Sequence, residues 1–152
     1  MKKLPPHILA EHRAAKFHYE ILSEFEAGLV LTGIETKSLK THRAKLAGSF
    51  VKVKAGEVWL TGLEIPMYRF AKGAPHQKNR NRKILLNARE IKAIQKNLNE
   101  KGVTVVPLDL HLKNGRIKAK IAIARGKKKW DKREAIKKRD IEREIQRKTK
   151  IH

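Results

Sequence analysis

Glu24-Phe-Glu-Ala-Gly-Leu-Val-Leu-Thr-Gly-Ile-Glu-Thr-Lys-Ser-Leu-Lys40 changes its period halfway along, and that change decides the fold. The first half, with Leu29, Val30 and Leu31, is apolar and branched enough for a strand. Gly28 interrupts it as glycines do at a bulge or where another backbone comes close. Thr32 and Glu35 then stand at capping-box spacing, so the strand hands over directly to a short helix carrying Ile34, Lys37 and Leu39. A strand turned into a helix at one Thr-Gly step, with basic side chains outside, suits a small barrel that grips a polyanion.

Upstream, Phe17, Tyr19 and Ile21 alternate with polar neighbours as a first strand. Residues 1–15 are basic, carry Pro5 and Pro6, and are expected to form a mobile arm that gains order near Arg13. Met1-Lys-Lys-Leu4 opens like a signal peptide, but Pro5, Pro6, His7 and Glu11 stand where an apolar run is needed.

Downstream, Phe50, Val51 and Val53 lead through Ala55-Gly56 to Val58, Leu60 and Leu63, a hairpin pattern with glycine in the turn. Residues 66–81 hold two prolines, a glycine and few apolar side chains, and a loop that long is expected to be functional or mobile. Lys78, Arg80, Arg82 and Lys83 cluster at its end, as an RNA contact or as a solvated loop. Asn87 with Glu90 repeats the capping box, Ile91, Ile94 and Leu98 share one helical face, and Gly102 closes that helix. Val103 to Val106, Leu108 to Leu112 and Arg116 to Ile123 read as strands, the last two joined by the hairpin signal Asn114-Gly115. Five or six strands with two short helices favour a mainly β chain, a small antiparallel barrel of oligonucleotide-binding type over residues 16–124.

Charge narrows the partner. The 152 residues carry 37 Lys and Arg against 15 Asp and Glu, a net +22 whose self-repulsion calls for a polyanion. Nucleic acid fits, whereas a membrane surface would need a basic amphipathic helix with bulky apolar residues on one face, and no segment has that pattern. No cysteine is present, which excludes disulfides and thiol catalysis and is compatible with a reducing cytoplasm. The seven histidines are scattered without metal-ligand spacing, so neither a metal nor any cofactor is expected. Glu24 and Glu26 would share a strand face, but no nucleophile or His accompanies them in sequence, so catalysis is not expected.

From Arg125 to His152 the composition changes: 13 Lys and Arg against 5 acidic residues in 28, with only Trp130, Ala135 and four isoleucines as apolar content. Such a stripe cannot offset the entropy of ordering the segment alone. Helical signals are present nonetheless, in the spacing of Asp131 and Glu134 and in the ion pairs Glu134 to Lys138 and Glu144 to Lys148, each worth ~0.3 kcal/mol. Residues 125–152 are therefore expected to be a conditionally helical tail, disordered when free and ordered on an anionic surface.

Four blocks in order, Phe25 to Lys40, Arg82-Lys-Ile-Leu-Leu-Asn87, Thr104-Val-Val-Pro-Leu108 and Gly126-Lys-Lys-Lys-Trp-Asp-Lys-Arg133, resemble the small protein B (SsrA-binding) family of bacterial trans-translation. The resemblance runs from about Arg13 to the C-terminus and implies a six-stranded barrel holding the tRNA-like domain of transfer-messenger RNA. It further implies a monomer acting with elongation factor Tu on the charged RNA, its tail entering the vacant messenger channel of a stalled ribosome beside small-subunit rRNA. RNA contacts carried over are Glu26, Leu85 and Asn87; the tail's decoding-centre segment is Asp131, Lys132 and Arg133. Arg13, Gly28, Lys37, Arg80 and Arg82 complete the candidate RNA face, and Gly126, Lys127, Lys128 and Trp130 the candidate tail site. Three positions depart from the family: His12 for Asn, Thr36 for Val and Lys40 for Arg.

Three of these residues carry bland alternatives. Glu26 can accept from a guanine edge or a ribose hydroxyl, or can pair with a nearby Lys. Asn87 can cap its helix and meet RNA at once. Leu85 can be core.

Overall fold

The computed structural model describes residues 5–41, 44–71, 73 and 75–150, and for residues 129–131 the backbone alone. In chain order the elements are β1 (Ile8–Glu11), α1 (Ala15–His18), β2 (Tyr19–Leu29), α2 (Gly33–Thr41), β3 (Phe50–Lys54), β4 (Glu57–Thr61), β5 (Arg82–Leu85), α3 (Ala88–Leu98), β6 (Val103–Lys113), β7 (Arg116–Gly126) and α4 (Lys129–Lys150). The expected handover from strand to helix is built as a reciprocal cap. Glu35 N–H donates to Thr32 Oγ1 at 3.2 Å, and Thr32 N–H donates to Glu35 Oε1 at 3.0 Å.

All seven strands pair antiparallel in the order β1-β6-β7-β2-β5-β4-β3, and the sheet curls until β3 meets β6. The result is a barrel with one more strand than the six expected. The extra strand is β1, which lies in the stretch expected to be a mobile arm: Ile8–Glu11 pairs with β6, and His12 N–H donates to Leu108 O at 2.8 Å. Phe17 belongs to the single turn of α1 rather than to a strand, so β2 begins at Tyr19.

Both predicted hairpin turns are present. Ala55 and Gly56 (φ 52° and 75°) join β3 to β4, and Asn114 and Gly115 (φ 51° and 75°) join β6 to β7. The two strands expected on either side of Pro107 are one, β6, whose register against β7 shifts between Pro107 and Asp109. Proline has no N–H to give the ladder, so the strand bulges there instead of ending.

Inside the curl, Leu39, Leu60, Leu63, Ile65, Ile94, Leu110 and Ile121 are each at most 2% exposed. A second, smaller cluster on the outside of β7 packs Ala122 and Ala124 under Ala15, with Tyr19 and Ile21 at its edge. The C-terminal helix α4 touches the barrel through Arg139, whose guanidinium stands 5.8 Å over the Phe17 ring.

Candidate nucleic-acid interface

Strand parity sorts the candidate residues. On β2, Ala27 points inward at 2% exposure, so Glu26 and Gly28 face out. Gly28 lies opposite Leu85 of β5 on one side and Lys118 of β7 on the other. A Cβ on Gly28 would sit 3.2 Å from Leu85 Cβ, so this glycine serves a close approach, while the bulge in β2 falls between Ile21 and Ser23. Lys118 in turn faces His111 of β6, and the neighbouring row runs Glu26, Lys120, Asp109.

Leu85 is 52% exposed, which disposes of its core reading. The cause is legible in β5: Arg82 and Ile84 point in, so Lys83 and Leu85 point out. Two residues on, Asn87 caps α3 by accepting from Glu90 N–H at 2.9 Å, and its Nδ2 donates to Glu90 Oε1 at 3.0 Å. Gly28, Thr36, Leu85, Arg116 and Lys118 line a concavity of about 350 Å³, and a second hollow lined by Glu26, Lys113 and Asn114 shares Arg116 and Lys118 with it.

Glu26 makes the internal contacts that its alternative reading called for. Lys113 Nζ donates to its Oε1 at 2.9 Å, and His111 Nε2 lies 3.3 Å from its Oε2. His111 is fixed from behind by Asp109, at 2.6 Å from Nδ1. The Lys113 hydrogen bond, working against some desolvation and aided by His111, holds the Glu26 carboxyl below the usual range. The side chain keeps 38% of its surface, so an ionised, pre-oriented acceptor is presented to solvent amid cations. An internal pair and an RNA contact are therefore compatible at this position.

The cations of this face, Lys113, Arg116, Lys118 and Lys120, are absent from the sequence-based candidates. Their signal is the alternation Arg116-Ile-Lys-Ala-Lys-Ile121, apolar inward and basic outward over a half-buried strand. Arg13 is exposed at the far end of the same face, in a hollow it shares with Glu24 and Lys120. Lys37 lies elsewhere, on α2, with its ammonium 5.9 Å above the Tyr68 ring.

Arg82 is a correction. Its side chain is 0% exposed and cannot reach RNA. Nε donates to Glu35 Oε2 at 2.6 Å, Nη1 to the Leu63 and Arg80 carbonyls at 2.6 and 2.8 Å, and Nη2 to the Lys78 carbonyl at 3.1 Å. It is a clamp that ties the loop before β5 to the first turn of α2. Arg80, a third exposed, spends its guanidinium on Glu35 Oε1 at 2.5 Å. Among its described residues, the 66–81 loop, expected to be functional or mobile, is fastened at the Lys78 and Arg80 carbonyls by Arg82 and at His76, whose Nε2 meets Ile65 O at 2.9 Å.

At the root of the tail, Gly126 ends β7, Lys127 N–H donates to His18 O at 2.9 Å and Lys127 Nζ to Lys16 O at 2.8 Å. Lys128 and Arg133 are exposed and Lys132 is half-buried; the side chains of Trp130 and Asp131 lie outside the described residues.

Known proteins resemble this chain in sequence and in fold. A family model described as SmpB protein matches residues 9–151. The chain is 48% identical over 139 residues to the SsrA-binding protein of Nocardioides sp., covering 91% of this chain and 87% of that one. It is also 48% identical over 138 residues to the SsrA-binding protein of Protochlamydia amoebophila, covering 91% and 90%. A solved structure described as "tmRNA-SmpB: a journey to the center of the bacterial ribosome" superposes with a TM-score of 0.69 at 36% identity, covering 87% of this chain and 95% of that chain.

Proposed function

The chain belongs to the SmpB protein family, and from that premise we propose that it is a non-enzymatic RNA-binding adaptor of trans-translation. Its barrel holds the tRNA-like domain of transfer-messenger RNA, helps deliver the alanyl-charged RNA with elongation factor Tu, and works in the cytoplasm as a monomer. Its tail occupies the empty messenger channel at the decoding centre of a stalled ribosome. No helix among the described residues is long and apolar enough to cross a membrane.

The observation that carries the barrel's part is the outer face on which Glu26, Gly28 and Leu85 meet Lys118 and Arg116. Cations supply affinity for phosphate without sequence preference, and an oriented carboxylate adds what a cation cannot, an acceptor for a base edge or a 2′-hydroxyl. His111, engaged at both ring nitrogens and with 11% of its side chain exposed, orients Glu26 rather than exchanging protons with a substrate.

The test is competition. Transfer-messenger RNA should displace bulk tRNA and duplex DNA from the purified protein, whereas a general polyanion binder would show little preference. If the barrel neutralises ~6 phosphates, log affinity should fall against log salt with a slope of about −4. Affinity independent of salt would refute the reading.

Glu26→Ala should weaken transfer-messenger RNA binding roughly tenfold or more, the worth of one charge-assisted hydrogen bond at ~1.5–3 kcal/mol. Thermal stability should change by no more than ~0.5 kcal/mol, as for an ordinary surface substitution. A large stability loss with little effect on RNA would assign Glu26 to the fold alone.

A further inference from the structure

We propose that the outer face of β3, β4 and β5 is a second RNA site, a stacking platform centred on Trp59 that takes an unpaired stretch of RNA. It rests on the RNA-binding reading for its class of ligand, and it shares no residue with the Glu26 face.

The inner side of this hairpin is apolar: Val51, Val58 and Leu60 are buried, at 3%, 1% and 0% exposure. Parity then turns Phe50, Lys52 and Lys54 outward on β3, opposite Thr61, Trp59 and Glu57 on β4, and Trp59 also faces Lys83 of β5. Lys52, Lys54, Glu57, Trp59, Thr61 and Asn81 line a concavity of about 440 Å³. β3 is the last hydrogen-bonded strand in the sheet order, and beyond it the sheet closes against β6.

Two features of this hollow point to a ligand. First, it combines an indole with basic side chains, and Lys52 Nζ stands 5.5 Å over the ring of Phe50, which is itself 37% exposed. Second, Lys83 is paired with Glu57 at 3.1 Å, while Lys52 and Lys54 have no carboxylate partner among the described residues.

The ligand class follows from these groups taken together. An indole offers a stacking surface to any unpaired base, lysines hold the phosphates on either side, and the Asn81 amide can meet a base edge. Duplex RNA keeps its base faces covered and gains nothing from Trp59. An acidic peptide would satisfy Lys52 and Lys54 but leave the aromatic surface unused. The platform also adjoins the first site: Lys83 and Leu85 are successive outward residues of β5, and Leu85 faces Gly28. Trp59 and Gly28 are two strands apart, roughly 10 Å across the sheet, so one RNA can touch both.

The experiment uses the full chain carrying Trp130→Phe, which leaves Trp59 as the only tryptophan. Titration with a fluorescently labelled single-stranded ten-uridine RNA should quench Trp59 emission by half or more, in step with the anisotropy of the label. In the otherwise unchanged protein, Trp59→Leu should weaken that binding about tenfold, within the 5- to 150-fold range expected for one lost stack. Lys54→Glu, beside the exposed turn, should weaken it similarly and carries the test if Trp59→Leu fails to fold. Both should leave binding of transfer-messenger RNA saturable, and Glu26→Ala should leave the quench in place. The platform is refuted if the oligonucleotide does not bind, or saturates without changing Trp59 emission. It is equally refuted if the quench disappears in Glu26→Ala, or if deca-glutamate quenches at the same concentration. Loss of transfer-messenger RNA binding by the unsubstituted chain would instead overturn the adaptor reading.

Discussion

Arg82→Ala is expected to lower the free energy of unfolding by about 3–5 kcal/mol, the usual result of removing one partner from a buried ion pair. The guanidinium is fully buried and is the donor for Glu35 and for the Leu63, Arg80 and Lys78 carbonyls. Without it, a carboxylate whose side chain is 3% exposed is left with Arg80 and the Thr32 N–H, and the Leu63 and Arg80 carbonyls must find water or rearrange, while Lys78 O keeps the Ile65 N–H at 2.9 Å. Urea unfolding followed by circular dichroism measures the loss. The double substitution Arg82→Met with Glu35→Leu should recover most of it, because two apolar side chains of similar size leave no buried charge, and Arg80, a third exposed, can turn its guanidinium to solvent. A loss of less than about 1 kcal/mol in Arg82→Ala would mean that the clamp does not form.

The same cluster fixes a pH dependence. Burial alone would push the Glu35 carboxyl up; hydrogen bonds from the Thr32 N–H, Arg80 and Arg82 outweigh it, so the carboxyl lies below its ordinary value. A folded pKa below the unfolded one gives stability that is present above the unfolded pKa, about 4.3, and is lost as pH falls through the folded value. Glu35→Gln should therefore start less stable at neutral pH and lose less than the unsubstituted chain on acidification.

Arg82 also marks where sequence stops being sufficient. Local signals were reliable wherever the deciding physics was local: the capping boxes at Thr32 and Asn87, the turn at Asn114-Gly115 and the inward face of α3 all stand as expected. Arg82 and Lys83 look alike in a basic run, and the pairing of β5 with β4, which sets Arg82 opposite the fully buried Leu60, shows which of them points inward. Had Ile84 been taken as an inward residue, period-two alternation would have buried Arg82 and exposed Leu85 together. The partnership of Glu26 with His111 and Lys113, 85 and 87 residues away, had no sequence signal, since it depends on which strands become neighbours. The strand in the N-terminal arm was equally hidden: Ile8–Glu11 is too short to announce itself and exists because β6 offers a free edge.

Removing residues 129–152 is expected to abolish peptide tagging on stalled ribosomes while changing the affinity for transfer-messenger RNA by less than about threefold, the span that a ~0.6 kcal/mol change covers. The cut spares Lys127, whose contacts with Lys16 and His18 tie the end of β7 to α1, and it removes no residue of the Glu26 face. What it removes is a helix with little holding it to the barrel. Ile136, Ile141 and Ile145 are 38%, 59% and 58% exposed, and Arg139 over Phe17 is a single cation–π contact worth ~0.5–1 kcal/mol at an exposed site. Ion pairs at i,i+4 add tenths of a kcal/mol to a segment whose cations repel one another. In the free protein α4 should therefore fray, its amides exchanging far faster than those of β7, and it should become protected when rRNA neutralises its charge. Hydrogen exchange on the full chain, alone and bound to stalled ribosomes, tests this directly. Protection of residues 132–150 equal to that of β7 in the free chain, or loss of transfer-messenger RNA affinity on truncation, would show that barrel and tail act as one body.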